Sequence, residues 1–422
     1  MKFLHAADLH VDSPLRGLDS YDGAPVERLR GATRLALVAL VDLAIEQKVD
    51  LVILAGDIYD GNWTDFRTGL FFREQMVRLT RQGVRVFIAK GNHDAESVIS
   101  RQLPAVEGVH IFSSRKAEVI ELDDLGVAIH GRSFPERAVT EDLVPSYLDP
   151  IAGKFNLGVL HTSLTGNPDH DTYAPTSEAI LVAKGYDYFA LGHIHARQVV
   201  REANPRIVFP GNLQGRHAKE IGAKGCELIT VSEGSVVSTE FVPLDVVRWH
   251  QIRLDTAGVN DIDALSSRFT DEVRAQTADA RDRLHAVRLT IYGESALHRL
   301  EAEQPGALAA AVQAAAQDLD GIDIWIEQVR LELRSPMDRA AAASRTDAVG
   351  EVVRLVDALV ADDALLQTWA TEHLAEMANL PKDLANAAPA RLTIDELRAA
   401  LADAEGSVLA HLTVGTRLEG EQ

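Results

Sequence analysis

The chain has 422 residues and carries 42 Lys and Arg against 63 Asp and Glu, a formal net charge of −21. Hydrophobic residues make up 46 % and charged residues 25 %, which excludes a disordered chain and is ordinary for one that buries cores in two or three domains. One cysteine, Cys226, excludes an intrachain disulfide framework and a Cys-rich zinc site.

No apolar run reaches the ~18 residues needed to span a bilayer. The opening Met1–Asp8 lacks a signal-peptide design, so a cytoplasmic protein with no membrane segment is expected. The acidic balance argues against a nucleic-acid binder, which ordinarily presents a basic face. It is evenly spread, with residues 1–244, 245–333 and 334–422 each at −7. The exception is 196–224, where six basic residues face Glu202 and Glu220 alone.

In chain order, Lys2–Ala7 reads as a strand and Val26–Gln47 as an amphipathic helix. Asp50–Ala55 is a continuous apolar strand, Asp65–Arg81 a helix closed by Gly83, and Val84–Ala89 a further strand. Strand-helix-strand repetition with near-continuous apolar strands predicts a parallel sheet buried on both faces. Strands are expected at Val109–Phe112, Val119–Leu122, Val127–His130, Phe155–Leu160 and Tyr186–Leu191, then a β-rich return at Ile207–Phe209, Glu227–Val231 and Val236–Val242. Beyond Pro243–Val247, strands Arg248–Leu254, Ala286–Tyr292 and Ile324–Leu333 alternate with helices Asp261–Asp282 and Ala296–Leu319, a small α+β unit. The remainder is helical, with an apolar stripe over Ala348–Val360. A capping box, Thr393-Ile394-Asp395-Glu396, opens a helix through Ala404, and Pro381 and Pro389 are expected to break the tail. The expected domains are 1–244, 245–334 and 335–422.

The chemistry-bearing residues stand at strand ends. Asp8 and His10 follow the first strand. Asp57 follows the second in Gly56-Asp57-Ile58-Tyr59-Asp60, and Asn92 and His93 the third in Gly91-Asn92-His93-Asp94. His161 ends one later strand, and Gly192-His193-Ile194-His195 ends another. In a parallel sheet the ligand crevice lies beyond the carboxyl ends of the strands, so five strand ends aim these side chains at one place. Read singly, each motif has an ordinary alternative as a helix cap or loop. Together, imidazole, carboxylate and amide oxygen suit two divalent ions. Asp57 would bridge them, and ions about 3.5–4 Å apart would clamp a phosphate and generate a nucleophile. A donor set without Cys favours Mn²⁺ or Fe²⁺, with Zn²⁺ as an alternative. His5, His110 and His130 lie within strands and read as core histidines, and Tyr59 and Trp63 stand near Asp57.

This motif set resembles that of the calcineurin-like metallophosphoesterases. The opening Ala7-Asp8-Leu9-His10-Val11-Asp12-Ser13-Pro14-Leu15 and the run Pro210-Gly211-Asn212-Leu213-Gln214-Gly215-Arg216, with Glu220 and Lys224-Gly225, look like the SbcD-type DNA repair exonucleases, most of all their YhaO branch. The resemblance covers about residues 1–230, is looser over 245–333 and weak in the tail. It implies an α/β fold: a two-layered β-sheet sandwich flanked by helices, with a small α+β capping domain and a helical C-terminal tail. It implies one metal held by Asp8, His10, Asp57 and His195, and a second by Asp57, Asn92, His161 and His193. His93 would be catalytic, assisting the leaving oxygen, with Asp94 behind it. Arg197, Arg216, His217 and Lys219 would contact DNA.

The function expected is a Mn-dependent DNA exonuclease acting with an SbcC-like ATPase, as a homodimer whose tail would dock the partner. The alternatives are a phosphodiesterase for a small nucleotide, a protein phosphatase, or a non-catalytic adaptor. Protein phosphatases ordinarily read G-D-x-x-D-R-G and G-N-H-E, which Gly56–Gly61 and Gly91–Asp94 do not. Retention of every proposed ligand argues against an adaptor.

Overall fold

The computed structural model describes residues 1–13, 24–60, 65–96, 105–164, 173–336, 338–373 and 392–418. Pro14, Leu15, Trp63, Pro381 and Pro389 lie outside the described residues. The chain forms two compact units. One comprises Met1–His250, Ala280–Val287 and Ile322–Glu327, and the other Gln251–Asp279, Arg288–Gly321 and Gln328–Gln422.

The first unit contains β1 (Lys2–Ala6), α1 (Val26–Glu46), β2 (Leu51–Leu54), α2 (Phe66–Arg81), β3 (Arg85–Ile88), α3 (Asn92–Glu96) and β4 (Val109–Ile111). After these come β5 (Glu118–Leu122), β6 (Val127–Gly131), β7 (Phe155–His161), β8 (Tyr188–Gly192), β9 (Gln198–Arg201), β10 (Arg206–Phe209), β11 (Gly225–Ser232) and β12 (Ser235–Pro243). They build two six-stranded sheets, ordered β12-β11-β1-β2-β3-β4 and β5-β6-β7-β8-β10-β9. The single parallel sheet read from the strand-helix alternation is therefore two mixed sheets, the two-layered sandwich that the resemblance implies. β1, β2, β3 and β4 pair in parallel, while β11 returns antiparallel to β1.

Period-two alternation explains why the strands are apolar throughout. In the first sheet Phe3, Leu51, Ile53 and Phe87 face Val127, Ile129, Leu157 and Tyr188 of the second. Leu4, Ala6, Val52, Leu54 and Val86 instead meet Leu37, Leu40 and Val41 of α1 and Met76 and Leu79 of α2. The outer face of the second sheet packs Leu160, Phe189 and Leu191 on Phe134, Leu143 and Tyr147. Each fully buried Val, Leu, Ile, Phe or Met among them contributes about 1.5–3 kcal/mol. Cys226 is buried in β11. β9, which pairs antiparallel with β10 at the sheet edge, was not anticipated, because its Gln and Arg ends mask a two-residue apolar centre.

β13 (Val247–Asp255), β14 (Leu284–Glu294) and β15 (Asp323–Arg334) form a three-stranded sheet in that order. The helix expected over Ala296–Leu319 is two, Leu297–Glu303 and Ala307–Gln317. Pro305 and Gly306, the latter at φ +89°, interrupt it: a proline inside a helix lacks the N–H for the i→i−4 bond. The tail helix opens with the expected capping box, Thr393 N donating to Glu396 Oε2 at 2.7 Å, but runs on to Leu418. Leu397 and Leu401 pack with Val356, Leu359, Leu366 and Ala370, and Leu409 with Val349 and Val353. The described tail helices thus share cores of their own. No helix among the described residues is long and apolar enough to cross a membrane.

Candidate metal centre

The strand ends of the first unit converge as the motif reading expected. β1 and β2 stay in register beyond their last strand residues, with Asp8 N donating to Gly56 O at 3.0 Å and His10 N to Asp57 O at 3.0 Å. Asp8, His10, Asp57 and His193 have φ of +51°, +42°, +54° and +104°, a region that non-glycine residues enter at a cost of about 1–3 kcal/mol. Four such residues in one crevice mark the place where the fold sustains strain. Gly56 and Gly91 make room for it: a Cβ on either would strike the His161 ring, and one on Gly91 would also strike Asp57 Oδ1.

Buried side chains line the crevice. Asp8, His10, Asp57, Asn92 and His161 are 3 % exposed or less, His193 is 8 % exposed, and the side chains of His195 and His93 reach the rim at 21 % and 33 %. His10 Nδ1 donates to Asp60 Oδ1 at 2.7 Å, and His195 Nδ1 to Glu220 Oε1 at 2.7 Å. A carboxylate only accepts, so each Nδ1 carries the proton and each Nε2 is the atom turned into the crevice. Those two Nε2 atoms face each other at 3.3 Å. Across the site, His161 Nδ1 donates to Ala55 O at 2.9 Å, and its Nε2 faces Asn92 Oδ1 at 2.9 Å and Asp57 Oδ2 at 3.4 Å. Imidazole, carboxylate and amide oxygen aimed at common points are a donor set that fits a divalent metal.

Among the described residues, three groups have ligand atoms mutually close enough to hold an ion: Asp8, His10 and His195; Asp8, Asp57 and His161; and His10, Asp60 and His93. His193 enters through its backbone N–H, which donates to both Asp8 oxygens at 3.1 and 3.0 Å, and its ring lies 5.3 Å from that of His161. The His93 N–H donates to Asp57 Oδ1 at 3.0 Å, its ring lies 5.1 Å from that of His10, and its Nδ1 is 3.6 Å from Asp60 Oδ1. Asp94 accepts from Ile58 N, Tyr59 N and Gly91 N at 2.9, 3.1 and 3.1 Å, tying the Asp57 loop to the Asn92 loop.

The charges are divided across the site. Burial pushes Asp57 up, but His161 and His10 outweigh it and hold its carboxyl well below the usual range. Burial pushes His161 down, and the Asp57 charge reverses this to about 9. Burial and then Arg216 lower His10 to about 4, so its ring is neutral and ready to ligate near neutral pH. Burial and the Asp57 charge raise Asp94 to about 6.

The basic segment is distributed over several partners. Arg216 enters the site, 3.3 Å from Glu220 Oε1 and 3.6 Å from Asp60 Oδ1. His217 is exposed, with Nε2 3.6 Å from Glu220 Oε1, and Lys219 is exposed. Arg197 donates to Glu227 Oε1 at 2.6 Å and lies 4.8 Å over the Phe241 ring, and Arg201 pairs with Glu178 at 3.3 Å. Lys224 is buried and donates to His195 O at 2.8 Å. His5, His130 and Tyr59 are core residues, while His110 is part-exposed beside Glu118. Asp60 had no assigned role in the sequence reading. Its signal was a second acid three residues after Asp57, which matters only once the loop lays it against His10.

The chain is similar to known proteins. Residues 1–197 match the calcineurin-like phosphoesterase model, and residues 249–334 match the middle domain of the metallophosphoesterase YhaO. YhaO of Bacillus subtilis is 35 % identical over 274 residues, covering 64 % of this chain and 67 % of that protein. The DNA double-strand break repair protein Mre11 of Methanopyrus kandleri is 25 % identical over 276 residues, covering 58 % of this chain and 57 % of the relative. A dimetal phosphatase structure from Danio rerio aligns with 13 % identity and a TM-score of 0.34, over 54 % of this chain and 92 % of that one. With its ordered strand-end motifs folded into one acid-and-imidazole crevice, the chain belongs to the calcineurin-like metallophosphoesterase family.

Proposed function

We propose that this metallophosphoesterase is a two-metal phosphodiesterase that cuts the DNA backbone. The observation that carries the metal reading is the convergence of potential ligand atoms, His10 Nε2 on His195 Nε2 at 3.3 Å and His161 Nε2 on Asn92 Oδ1 and Asp57 Oδ2. Asp8, His10, Asp57 and His195 would hold one ion, and Asp57, Asn92, His161 and His193 the other. A site of nitrogen and oxygen donors without thiolate suits Mn²⁺. Bound ions supply charge stabilisation to a phosphate and activation of water at neutral pH.

The chain's own residues do the rest. Asp57, gripped by the His93 N–H, sits between both donor groups. His93, at the rim with Nδ1 3.6 Å from Asp60 Oδ1, would give a proton to a leaving oxygen. Asp94 holds the two loops that carry these groups. Exposed His217 and Lys219, next to Glu220, would meet the phosphate backbone. Arg197 and Arg216, expected there too, are engaged with Glu227 and with Asp60 and Glu220.

DNA as substrate is supported by the similarity to the DNA double-strand break repair protein Mre11. Work as a homodimer with an SbcC-like ATPase, docked through the tail, belongs to the same proposal and rests on the resemblance alone. A small nucleotide diester is the second reading. It is favoured by the carboxylates that neutralise Arg197 and Arg201.

The test is time-resolved digestion of end-labelled linear DNA with Mn²⁺, beside metal-free protein and His93→Ala, with a small chromogenic phosphodiester run in parallel. DNA loss requiring both Mn²⁺ and His93 supports the nuclease. Cleavage of the small diester with DNA left intact moves the assignment to the second reading, and no cleavage of either overturns both.

A further inference from the structure

Five side chains around the crevice form a closed circuit. His10 Nδ1 donates to Asp60 and His195 Nδ1 to Glu220, each at 2.7 Å. Arg216 spans the two carboxylates, 3.6 Å from Asp60 Oδ1 and 3.3 Å from Glu220 Oε1. The circuit closes where the two Nε2 atoms meet at 3.3 Å. The second oxygen of each carboxylate is also held. Ser13 Oγ donates to Asp60 Oδ2. Glu220 Oε2 accepts from Arg216 N at 2.7 Å and Asn212 Nδ2 at 2.9 Å. Neither carboxylate can rotate off its histidine without breaking these bonds. Asp60 is only 14 % and Glu220 only 7 % exposed, so each is held to its histidine with little competition from water.

We propose that Asp60, Glu220 and Arg216 are positioning residues, a single bracket that fixes His10 and His195 as Nδ1–H tautomers and turns both Nε2 lone pairs onto one divalent cation. A carboxylate behind a ligating imidazole sets its tautomer and raises its basicity. Here one arginine ties two such carboxylates together, so disturbing either acid reaches both histidines. Arg216 thereby acts on the protein's own carboxylates rather than on a substrate phosphate. The proposal rests on the metal reading of the site.

The experiment uses the full chain, with Mn²⁺ alone as the probe. Glu220→Gln keeps the shape, but its amide can donate as well as accept, so the Nδ1–H form of His195 is no longer enforced. Three quantities are measured: ¹⁵N shifts of the histidine rings, Mn²⁺ stoichiometry and affinity by calorimetry, and the melting temperature. The expected result is loss of the single His195 tautomer and a ~10–100-fold weaker affinity at one Mn²⁺ position, with the other retained. Asp60→Asn should do the same through His10, and it serves if Glu220→Gln fails to fold. A lower melting temperature with tautomers and Mn²⁺ affinity unchanged overturns the bracket and leaves the metal reading standing. Wild-type protein that binds no Mn²⁺ overturns the metal reading itself.

Discussion

His10 and His195 present their Nε2 atoms to each other at 3.3 Å while each Nδ1 is pinned to its own carboxylate. The two histidines stand 185 residues apart in the chain. Two imidazole nitrogens so directed can serve one divalent cation together.

The pair of His161 and Asp57 has a pH signature. His161, raised to about 9 beside Asp57 in the metal-free site, exceeds the ~6.5 of an unfolded histidine. Its stabilisation is therefore full below about pH 6.5 and lost as pH rises through 9. Metal-free protein should melt at a lower temperature at pH 9.5 than at pH 6.5, and His161→Gln should flatten that difference. A bound ion must displace the proton. Mn²⁺ affinity should accordingly rise about tenfold per pH unit below 9, with proton release visible by calorimetry in two buffers.

Gly91 and Gly31 make a matched pair. A Cβ on Gly91 lands on Asp57 and His161, while one on Gly31, within α1, meets nothing within 4 Å. Gly91→Ala should cost about 1–3 kcal/mol by overpacking and weaken Mn²⁺ binding. Gly31→Ala should stabilise by about 0.4–1 kcal/mol and leave binding alone. Urea denaturation of both variants, with calorimetry, checks the contrast.

His93→Ala removes the ring but retains the backbone N–H that grips Asp57 at 3.0 Å. We expect kcat on a small chromogenic diester to fall ~10²–10⁴-fold at unchanged Mn²⁺ stoichiometry. A parallel loss of metal would reassign His93 as a ligand, which its grouping with His10 and Asp60 permits.

Asp94→Ala would leave three backbone N–H groups, of Ile58, Tyr59 and Gly91, without their acceptor. Unsatisfied buried donors cost about 1–3 kcal/mol each, so the variant should lose at least ~2 kcal/mol in urea unfolding. Asp94→Asn keeps one accepting oxygen and should lose less. Equal losses would mean that the three bonds do not carry the effect.

Much of the site was legible in one dimension. Asp8, His10, Asp57, Asn92, His161, His193 and His195 each follow an apolar strand, and a strand's burial and its end are local properties of the chain. The continuous apolar runs Leu51–Leu54 and Phe155–Leu160 likewise report strands covered on both faces. What the pattern does not encode is which strand pairs with which. One expected sheet is two, because burial on both faces looks the same whichever sheet a strand joins. Nor does it encode what neutralises a charge. The net-positive segment 196–224 reads as a basic surface, yet Glu178 and Glu227, outside it in the chain, lie against Arg201 and Arg197. Asp60 and Glu220 acquire their meaning only where the fold lays them against His10 and His195, since a hydrogen bond between side chains distant in sequence is set by backbone paths that no local spacing specifies.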